Sequence, residues 1–284
     1  MAPIFACLAL LGGCSHSPRI VVGSKNFTEE VLLGEIVAQQ IERRLHVEVE
    51  RKLDLGGTLV AHEALVKGEI DLYPEYTGTA LTAILKEQPA GLSAATVRQR
   101  VSAAYRSRWN LEWLAPLGFN DSFAMVVRGE TARRLHLGTL SEAAARQGWR
   151  LGVGYEFQGR PDGLAGLERA YGLRLDGTPA VMDLGLLYPA LTGGKIDMAA
   201  GNATDGLLSK LDVTVLADDR HYFPPYQCAV VAREQTLEQF KGLRQCLEEL
   251  SGKFSDSTMR KLNYQVDGLH RPAQGVAREA LKSY

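Results

Sequence analysis

The sequence predicts an α/β fold made of two units with the same plan. The segment Ala64–Leu72 is echoed by the segment Ala190–Met198, at a constant offset of 126 positions (190 minus 64). Each copy predicts a helix end, a glycine turn and a buried strand, because glycine readily adopts the left-handed conformation that ends a helix and a short apolar run follows it. An echo of this length is also compatible with two unrelated helix-to-strand turns, which is the alternative interpretation.

A polar loop is predicted after each of these two strands. The loops cover residues 73–79 and 199–205, and at the same offset Tyr76 and Asn202 occupy equivalent positions. Ligands of open α/β sheets bind beyond the carboxyl ends of the strands. We therefore expect one ligand to lie between the two loop-bearing faces.

In the first unit the predicted order is strand, helix, strand, helix, strand. A strand over Arg19–Gly23 precedes a helix from Thr28 to about Arg44, which Thr28 is expected to cap and whose first turn is acidic. A strand over Val47–Glu50 and a helix over Thr58–Lys67 follow, and that helix leads into the first glycine turn.

The second unit is predicted to start near Trp149–Gly154. A helix from about Leu164 to Tyr171 follows, and strand, helix, glycine turn and strand are then repeated. Two extended apolar segments, Trp113–Val127 and Tyr222–Val231, predict strands that cross between the units. Two such crossings form a hinge that permits closure around a ligand.

These crossings set the predicted domain organisation. Amphipathic helices over Thr236–Phe254 and Asp256–Tyr264 are assigned to the first unit. Domain 1 is therefore expected to cover residues 19–118 together with 225–284, and domain 2 to cover residues 119–224.

The N-terminus is typical of an export signal. Its first fourteen residues are mostly apolar, too few to span a bilayer, and end in small residues. Leu11-Gly12-Gly13-Cys14 resembles the bacterial lipobox, which implies a signal peptide over 1–13, acylation of Cys14 and a linker over 14–18. The basic segment that normally starts such a signal is missing, so a plain secretory signal or an apolar tail on a cytosolic protein is the alternative.

Composition and charge exclude some classes of function. The net charge is −1 and the isoelectric point is about 6.6, so the basic footprint of a nucleic-acid-binding protein is absent. The six histidines stand apart and no metal-ligand spacing occurs, so we expect neither a metal nor a cofactor. Cys228 and Cys246 are compatible with a disulfide in an exported protein, or with two buried free thiols.

Aromatic residues form only 7% of the chain, yet several fall in or beside the predicted loops and crossings. These are Tyr73, Tyr76, Phe123, Phe157, Tyr188, Tyr222, Phe223 and Tyr226. Aromatic faces attract quaternary ammonium groups, at about 0.5 to 2 kcal/mol per ring. A nearby lysine or arginine would take a carboxylate, and Arg160 can do so with two parallel hydrogen bonds.

Some of these residues have a purely structural interpretation. Tyr73, Tyr222 and Phe223 are compatible with packing in the core. Lys25 is compatible with solvating its own loop, and Arg160 with a surface ion pair to Asp162.

Five motifs, in chain order, carry a resemblance to a known family. They are Gly23-Ser24-Lys25-Asn26-Phe27-Thr28-Glu29, Gly56-Gly57-Thr58, Tyr73-Pro74-Glu75-Tyr76-Thr77-Gly78-Thr79, Thr204-Asp205-Gly206 and Phe223-Pro224-Pro225-Tyr226. Together they resemble the osmoprotectant (quaternary amine) substrate-binding proteins of bacterial ABC importers, over essentially the whole mature chain. The resemblance implies an α/β, type II periplasmic-binding-protein fold, with two α/β domains joined by two crossing strands and a ligand cleft between them. The implied ligand is a betaine, choline or carnitine-like compound in a box of tyrosines.

By position, the resemblance implies a set of ligand-binding residues. They are Lys25, Tyr76, Thr79, Asp121, Phe123, Arg160, Asn202 and Tyr226. Tyr76 and Tyr226 match box tyrosines, and Asp121 matches an acidic companion of the box. Lys25, Thr79 and Arg160 match the residues that hold the ligand's carboxylate in betaine binders of this family.

Two positions depart from the family pattern. Phe123 keeps an aromatic face and lacks the hydroxyl, whereas Asn202 replaces a ring by an amide that donates and accepts hydrogen bonds. Loss of a ring is expected to weaken a compact ammonium ligand by about 1 to 2 kcal/mol, roughly 5-fold to 30-fold. We therefore predict weak glycine betaine binding, or a larger trimethylammonium ligand with a polar group near Asn202, of which ergothioneine-like betaines are one candidate.

The expected function is that of a monomeric, lipid-anchored receptor on the extracytoplasmic face of the membrane. It would deliver a quaternary-ammonium ligand to an ABC permease and its ATPase, and would be neither an enzyme nor a nucleic-acid-binding protein. A sensor that hands its closed form to a membrane signalling protein is one alternative. An exported enzyme using the same cleft is another, although the sequence has no Gly-x-Ser-x-Gly motif, phosphate loop or cysteine–histidine pair.

Overall fold

The computed structural model describes residues 19–88 and 91–283. The expected signal peptide, Cys14 and the linker lie outside these residues. In chain order the strands are β1 (Ile20–Gly23), β2 (Val49–Lys52), β3 (Leu72–Tyr76), β4 (Leu111–Asn120), β5 (Phe123–Arg128), β6 (Leu151–Val153), β7 (Ala180–Val181), β8 (Met198–Asn202), β9 (Val213–Leu216) and β10 (Gln227–Arg233). The helices are α1 (Thr28–Leu45), α2 (Thr58–Lys67), α3 (Thr77–Thr79, continued by a π turn over Ala80–Ile84), α4 (Ala94–Trp109), α5 (Gly129–Leu135), α6 (Leu140–Ala144), α7 (Tyr155–Gly159), α8 (Leu164–Tyr171), α9 (Leu184–Thr192), α10 (Glu234–Gln239), α11 (Leu243–Glu248), α12 (Asp256–Asp267) and α13 (Ala273–Lys282). A short 3₁₀ turn covers Gly206–Ser209.

The strands form two sheets with the same plan. The first sheet has the order β2-β1-β3-β10-β4 and the second has the order β7-β6-β8-β5-β9. In each sheet the first three strands are parallel, and the fourth runs antiparallel to both of its neighbours. The predicted pair of similar α/β units is therefore confirmed.

Helices cover both faces of each sheet. In the first lobe, apolar residues of α1, α11, α12 and α13 pack on one face, and those of α2 and α4 pack on the other. In the second lobe, α5, α6 and α8 cover one face and α9 covers the other. This arrangement leaves the ends of the strands as the accessible edge.

The repeated segments occupy equivalent places in the two sheets. Gly68 and Gly194 both adopt left-handed backbone, with φ of 75° and 70°. The strands that follow, β3 and β8, are each the third strand of their sheet. The echo at an offset of 126 positions therefore reflects shared architecture.

The predicted loops after these strands begin too early. Tyr73–Tyr76 belong to β3 and Ala199–Asn202 to β8. β3 lies between β1 and β10, and all of its residues are buried. Its polar side chains find partners inside the protein: the Tyr73 hydroxyl donates to Glu75 at 3.0 Å. The polarity of residues along the chain does not show whether a polar side chain has a buried partner, so these residues were expected in a loop.

Several element boundaries also differ from the prediction. Thr28 is the first residue of α1 and not its cap, because its hydroxyl donates to Asp267 at 2.6 Å. The strand expected over Val47–Glu50 lies two residues later, and α2 has the predicted limits. The single helix expected over Thr236–Phe254 is divided into α10 and α11, because Gly242 adopts left-handed backbone with φ of 84°.

The chain crosses between the sheets twice. It leaves the first sheet after Asn120 and enters the second at Phe123, and it leaves the second after Leu216 and returns at Gln227. The continuous strand expected for the first crossing is thus two strands, β4 and β5. The predicted domain boundaries stay a prediction.

The two described cysteines are free thiols. Cys228 lies in β10 and Cys246 in α11, and both are buried. Burial raises the pKa of both, that of Cys246 to about 11. Among the described residues, no helix combines the length and the apolar character needed to span a bilayer.

Candidate ligand-binding site

A cavity of about 280 Å³ lies between the two lobes, where β1, β3 and β8 end. Among the residues that line it are Lys25, Tyr76, Thr79, Asp121, Phe123, Arg160, Asn202 and Tyr226. The structure therefore brings all eight sequence-predicted site residues to one cavity. Tyr76 ends β3 and Asn202 ends β8, as their equivalent positions in the repeat require.

Aromatic faces form much of the cavity wall. The ring of Phe123 has its centroid 4.8 Å from that of Phe157 and 5.7 Å from that of Tyr226. On the other side, the ring of Tyr76 is stacked with that of Phe27 at 6.3 Å. Burial raises the pKa of both tyrosine phenols, so they remain neutral near pH 7. The wall can therefore offer several π-faces to a cation.

The ammonium group of Lys25 is already paired inside the protein. Its Nζ lies 2.6 Å from Glu75 Oε1 and 3.5 Å from Glu30 Oε1, and 4.5 Å from the Tyr76 ring centroid. Burial lowers the pKa of Lys25, but the two carboxylates outweigh that effect and hold the pKa above its usual value. Lys25 is 2% exposed, so it does not merely solvate its loop.

The guanidinium of Arg160 is paired in the same way. Its Nε and Nη2 donate to the two carboxylate oxygens of Asp162 at 2.9 and 2.6 Å, and its Nη1 donates to Thr79 Oγ1 at 3.2 Å. The Tyr226 hydroxyl also donates to Asp162, at 2.5 Å. The ion pair considered as an alternative does exist, but it is buried in the cleft and not on the surface. A ligand's carboxylate must therefore share Arg160 with Asp162.

A chain of hydrogen bonds links Tyr76 to Asp121 through the interface between the lobes. The Tyr76 hydroxyl donates to Glu29 Oε1 at 2.7 Å, and Thr204 Oγ1 lies 2.5 Å from Glu29 Oε2 and 2.6 Å from Asp121 Oδ1. A hydroxyl has one hydrogen, so its second short contact requires a proton on one of the two carboxyl groups. Burial raises the pKa of both acids, which favours that proton.

A second contact between the lobes lies at the mouth of the cavity. The carboxylate of Glu156, in α7, accepts hydrogen bonds from Thr58 N at 2.5 Å and Thr58 Oγ1 at 2.9 Å. Thr58 is the first residue of α2, so Glu156 satisfies a free N–H group at a helix N-terminus in the opposite lobe. The cleft is therefore closed in this conformation.

Part of the wall is not predicted by the sequence. Phe27 and Phe157 are absent from the eight predicted site residues, yet both line the cavity. Met182 and Asp183 arrive from the segment after β7, which no motif marks. In contrast, Tyr73 is packed in the core of the first lobe, as its structural interpretation requires.

Comparison with known proteins identifies the family. Residues 18–283 match the family described as the substrate-binding domain of the ABC-type glycine betaine transport system. The chain belongs to this family. The predicted type II periplasmic-binding-protein fold and the predicted role as a transport substrate-binding protein are thereby confirmed.

Several known proteins are similar to this chain over most of its length. The chain is 33% identical to the ergothioneine transport permease/ergothioneine binding protein of Helicobacter pylori (strain G27), over 93% of this chain and 47% of that protein. It thus spans about half the length of that relative. It is 31% identical to the carnitine transport binding protein of Listeria monocytogenes serotype 1/2a (strain 10403S), over 96% and 88% of the two chains. A crystal structure of a glycine betaine/carnitine/choline ABC transporter protein superimposes with a TM-score of 0.78 at 31% identity, over 93% and 98% of the chains.

Proposed function

We propose that the cavity captures a trimethylammonium compound and that closure of the two lobes holds it for delivery to the permease. The observation that carries the proposal is the composition of the cavity wall. The rings of Tyr76, Phe123 and Tyr226 line the cavity, and among the described residues its wall carries three carboxyl groups against two cations. A methylated nitrogen cannot donate hydrogen bonds, so π-faces and an anionic surrounding are the interactions open to it.

The proposed ligand range follows from the paired state of Lys25 and Arg160. Both cations are already partly neutralised by Glu75 and Asp162, so a ligand carboxylate gains less from them than from free side chains. This supports the prediction that glycine betaine binds weakly. A larger trimethylammonium compound, with polar groups that reach Asn202, gains further contacts within the same cleft.

Calorimetric titration with two compounds that match in shape and differ in charge tests the proposed cation site. Choline and its uncharged isostere 3,3-dimethyl-1-butanol have nearly the same shape. We expect choline to bind at least about 10-fold more tightly, since several rings each contribute about 0.5 to 2 kcal/mol to a cation only. Equal binding of the two compounds would refute the cation cage.

The panel then extends to glycine betaine, carnitine and ergothioneine, compounds for which members of the family are named. We expect at least one of the two larger compounds to bind more tightly than glycine betaine. Tyr226→Ala should weaken every ligand, and Tyr226→Phe, which keeps the ring, should weaken them much less. Similar losses in both variants would show that the hydroxyl and not the ring matters.

We also propose that the chain is a monomer held at the membrane by an acyl group on Cys14, and that it has no catalytic role. The lipobox-like sequence supports the anchor, and membership of a family of transport substrate-binding proteins supports the last statement. Radiolabelled palmitate should label the wild-type protein and not Cys14→Ser. Incorporation into both would contradict the assignment.

A further inference from the structure

A second cavity, of about 390 Å³, opens beside the first. The two cavities share Asn26, Phe27, Asp121, Asp183, Leu184 and Asn202 in their walls. A ligand held by the aromatic wall of the first cavity can therefore extend past Asp121 and Asn202 into the second. None of the eight predicted site residues except these two lines the second cavity.

The second cavity, here called the acidic compartment, carries a one-sided charge. Its wall includes the carboxyl groups of Glu29, Asp54, Asp121, Asp183, Asp205 and Asp267. No lysine or arginine is present in this wall, as far as residues 19–88 and 91–283 define it. Carboxylates that line one cavity repel one another unless protons or a cation intervene.

The side-chain oxygen of Asn263, in the same wall, is a hydrogen-bond acceptor without a donor. Asn263 is 3% exposed, and its Nδ2 donates to Glu29 Oε2 at 2.8 Å and to Thr204 O at 3.0 Å. These two bonds fix the orientation of the amide, and its Oδ1 is left without a hydrogen-bond partner. A buried acceptor without a donor costs about 1 to 3 kcal/mol. A ligand N–H group would remove that cost.

The carboxyl groups of the compartment are also short of positive charge. Burial raises the pKa of Asp205 to about 7, although Asn202 N and the Tyr188 hydroxyl both donate to it. Glu29 and Asp121 both contact the Thr204 hydroxyl, which can donate its one hydrogen to only one of them. A cation among these carboxyl groups would supply positive charge, and its N–H groups would add charge-assisted hydrogen bonds.

We propose that the acidic compartment binds a protonated nitrogen group of the ligand, such as an ammonium, guanidinium or imidazolium. The receptor would then be built for an elongated compound with a trimethylammonium group at one end and an N–H cation at the other. This inference rests on the proposed function, because the aromatic wall must hold the first end. It adds a second recognition site with the opposite requirement: the first end cannot donate hydrogen bonds and the second must.

Calorimetry with three probes tests the inference. They are (3-aminopropyl)trimethylammonium, its singly charged isostere butyltrimethylammonium, in which a methyl group replaces the terminal ammonium, and choline. We expect the amine to bind at least about 10-fold more tightly than the isostere, which corresponds to about 1.4 kcal/mol. The homologues with two and four methylene groups between the nitrogens establish which spacer fits.

Charge-removing variants locate the effect. Asp267→Asn should reduce the preference for the amine over the isostere at least about 3-fold. Asp183→Asn should have the same effect. Because Asp183 is exposed, this second variant keeps the test available if the first does not fold. Asp212→Asn removes the same charge from an exposed ion pair with Arg133 outside both cavities and should leave the preference unchanged.

The outcomes separate the two proposals. Suppose that the isostere and choline bind, and that the amine binds no more tightly than the isostere at any spacer length. The acidic compartment is then not a cation site, and the proposed function stands. If the amine is preferred equally in the wild type and in both compartment variants, the compartment assignment is likewise wrong. If no trimethylammonium compound binds, the proposed function fails, and this inference fails with it.

Discussion

Arg160 and Asp162 form a two-point ion pair inside the cleft, with both carboxylate oxygens accepting from the guanidinium. The pair lies below the ring of Phe123, whose centroid is 4.9 Å from Arg160 Cζ. Asp162 also accepts from the Tyr226 hydroxyl, so one carboxylate orients both a cation and an aromatic ring of the site. It occupies the part of Arg160 that a ligand's carboxylate would otherwise use.

Asp162→Asn is expected to shift ligand preference toward carboxylates. The substitution frees part of Arg160, and a hydrogen bond to a charged group contributes about 1.5 to 3 kcal/mol. Glycine betaine should gain about 10-fold relative to choline, as measured by calorimetry of both ligands on both proteins. The variant without ligand should also unfold at a lower temperature, because a buried guanidinium loses its partner. An unchanged ratio of the two affinities would show that Asp162 does not compete with the ligand.

Glu156→Ala is expected to weaken all ligands by a similar factor. The substitution removes the contacts with Thr58 that join the two lobes at the mouth of the cleft. A cap of this kind contributes about 0.5 to 2 kcal/mol, so affinities should fall roughly 2-fold to 30-fold, mainly through faster dissociation. Stopped-flow and equilibrium measurements check this. Glu63→Gln, which alters an exposed ion pair on α2, is the matched control and should bind as the wild type does. A loss confined to one ligand would indicate direct contact instead.

Asn202→Tyr is expected to tighten compact ligands. The substitution introduces a ring at the end of β8, where the resemblance implies a tyrosine, and next to Phe123 in the sheet register. Choline and glycine betaine should bind about 5-fold to 30-fold more tightly, and any larger ligand that uses the Asn202 amide should weaken. If glycine betaine already binds the wild type at micromolar strength and the substitution changes nothing, the weakened cage is wrong.

The stability of the protein should depend on pH through Asp205. Burial raises its pKa to about 7 in the folded protein, whereas an exposed aspartate has the ordinary value of 3.8. Between these two values the folded state binds more protons than the unfolded state, so the free energy of unfolding should fall as pH rises from about 4 to about 7. A single proton contributes at most about 1.4 kcal/mol per pH unit.

Asp205→Asn removes this titration. Urea denaturation at several pH values should give a difference between wild type and variant that grows in favour of the variant from pH 4.5 to 7 and is constant above. A difference that does not vary with pH would contradict the assignment. Asp212→Asn, which removes an exposed carboxylate paired with Arg133, is the control and should show no such trend between these pH values.

Local signals were enough to predict much of the fold. The glycine turns at Gly68 and Gly194 and the apolar runs after them predicted two equivalent strands, and these are the central strands β3 and β8. Where prediction failed, a contact distant in sequence decided the outcome. Thr28 donates a hydrogen bond to Asp267, which is 239 positions away along the chain, and Glu75 of β3 is paired with Lys25.

The positions of the site residues followed from the motifs, but their electrostatics did not. All eight residues line one cavity, yet nothing in the chain order indicated that Glu75 and Asp162 would neutralise Lys25 and Arg160. The second cavity could not be predicted from the sequence either, because its wall combines residues of α1, α9, α12 and the end of β8. Only the tertiary packing brings their acidic groups together.

The placement of β10 has a consequence for the order in which the molecule forms. One uninterrupted stretch of chain, from Phe123 to Leu216, supplies every strand of the second sheet, so that lobe can assemble while synthesis continues. The first sheet has a gap between β3 and β4 that is filled only by Gln227–Arg233. The half of the molecule that is translated first is therefore the last to be completed.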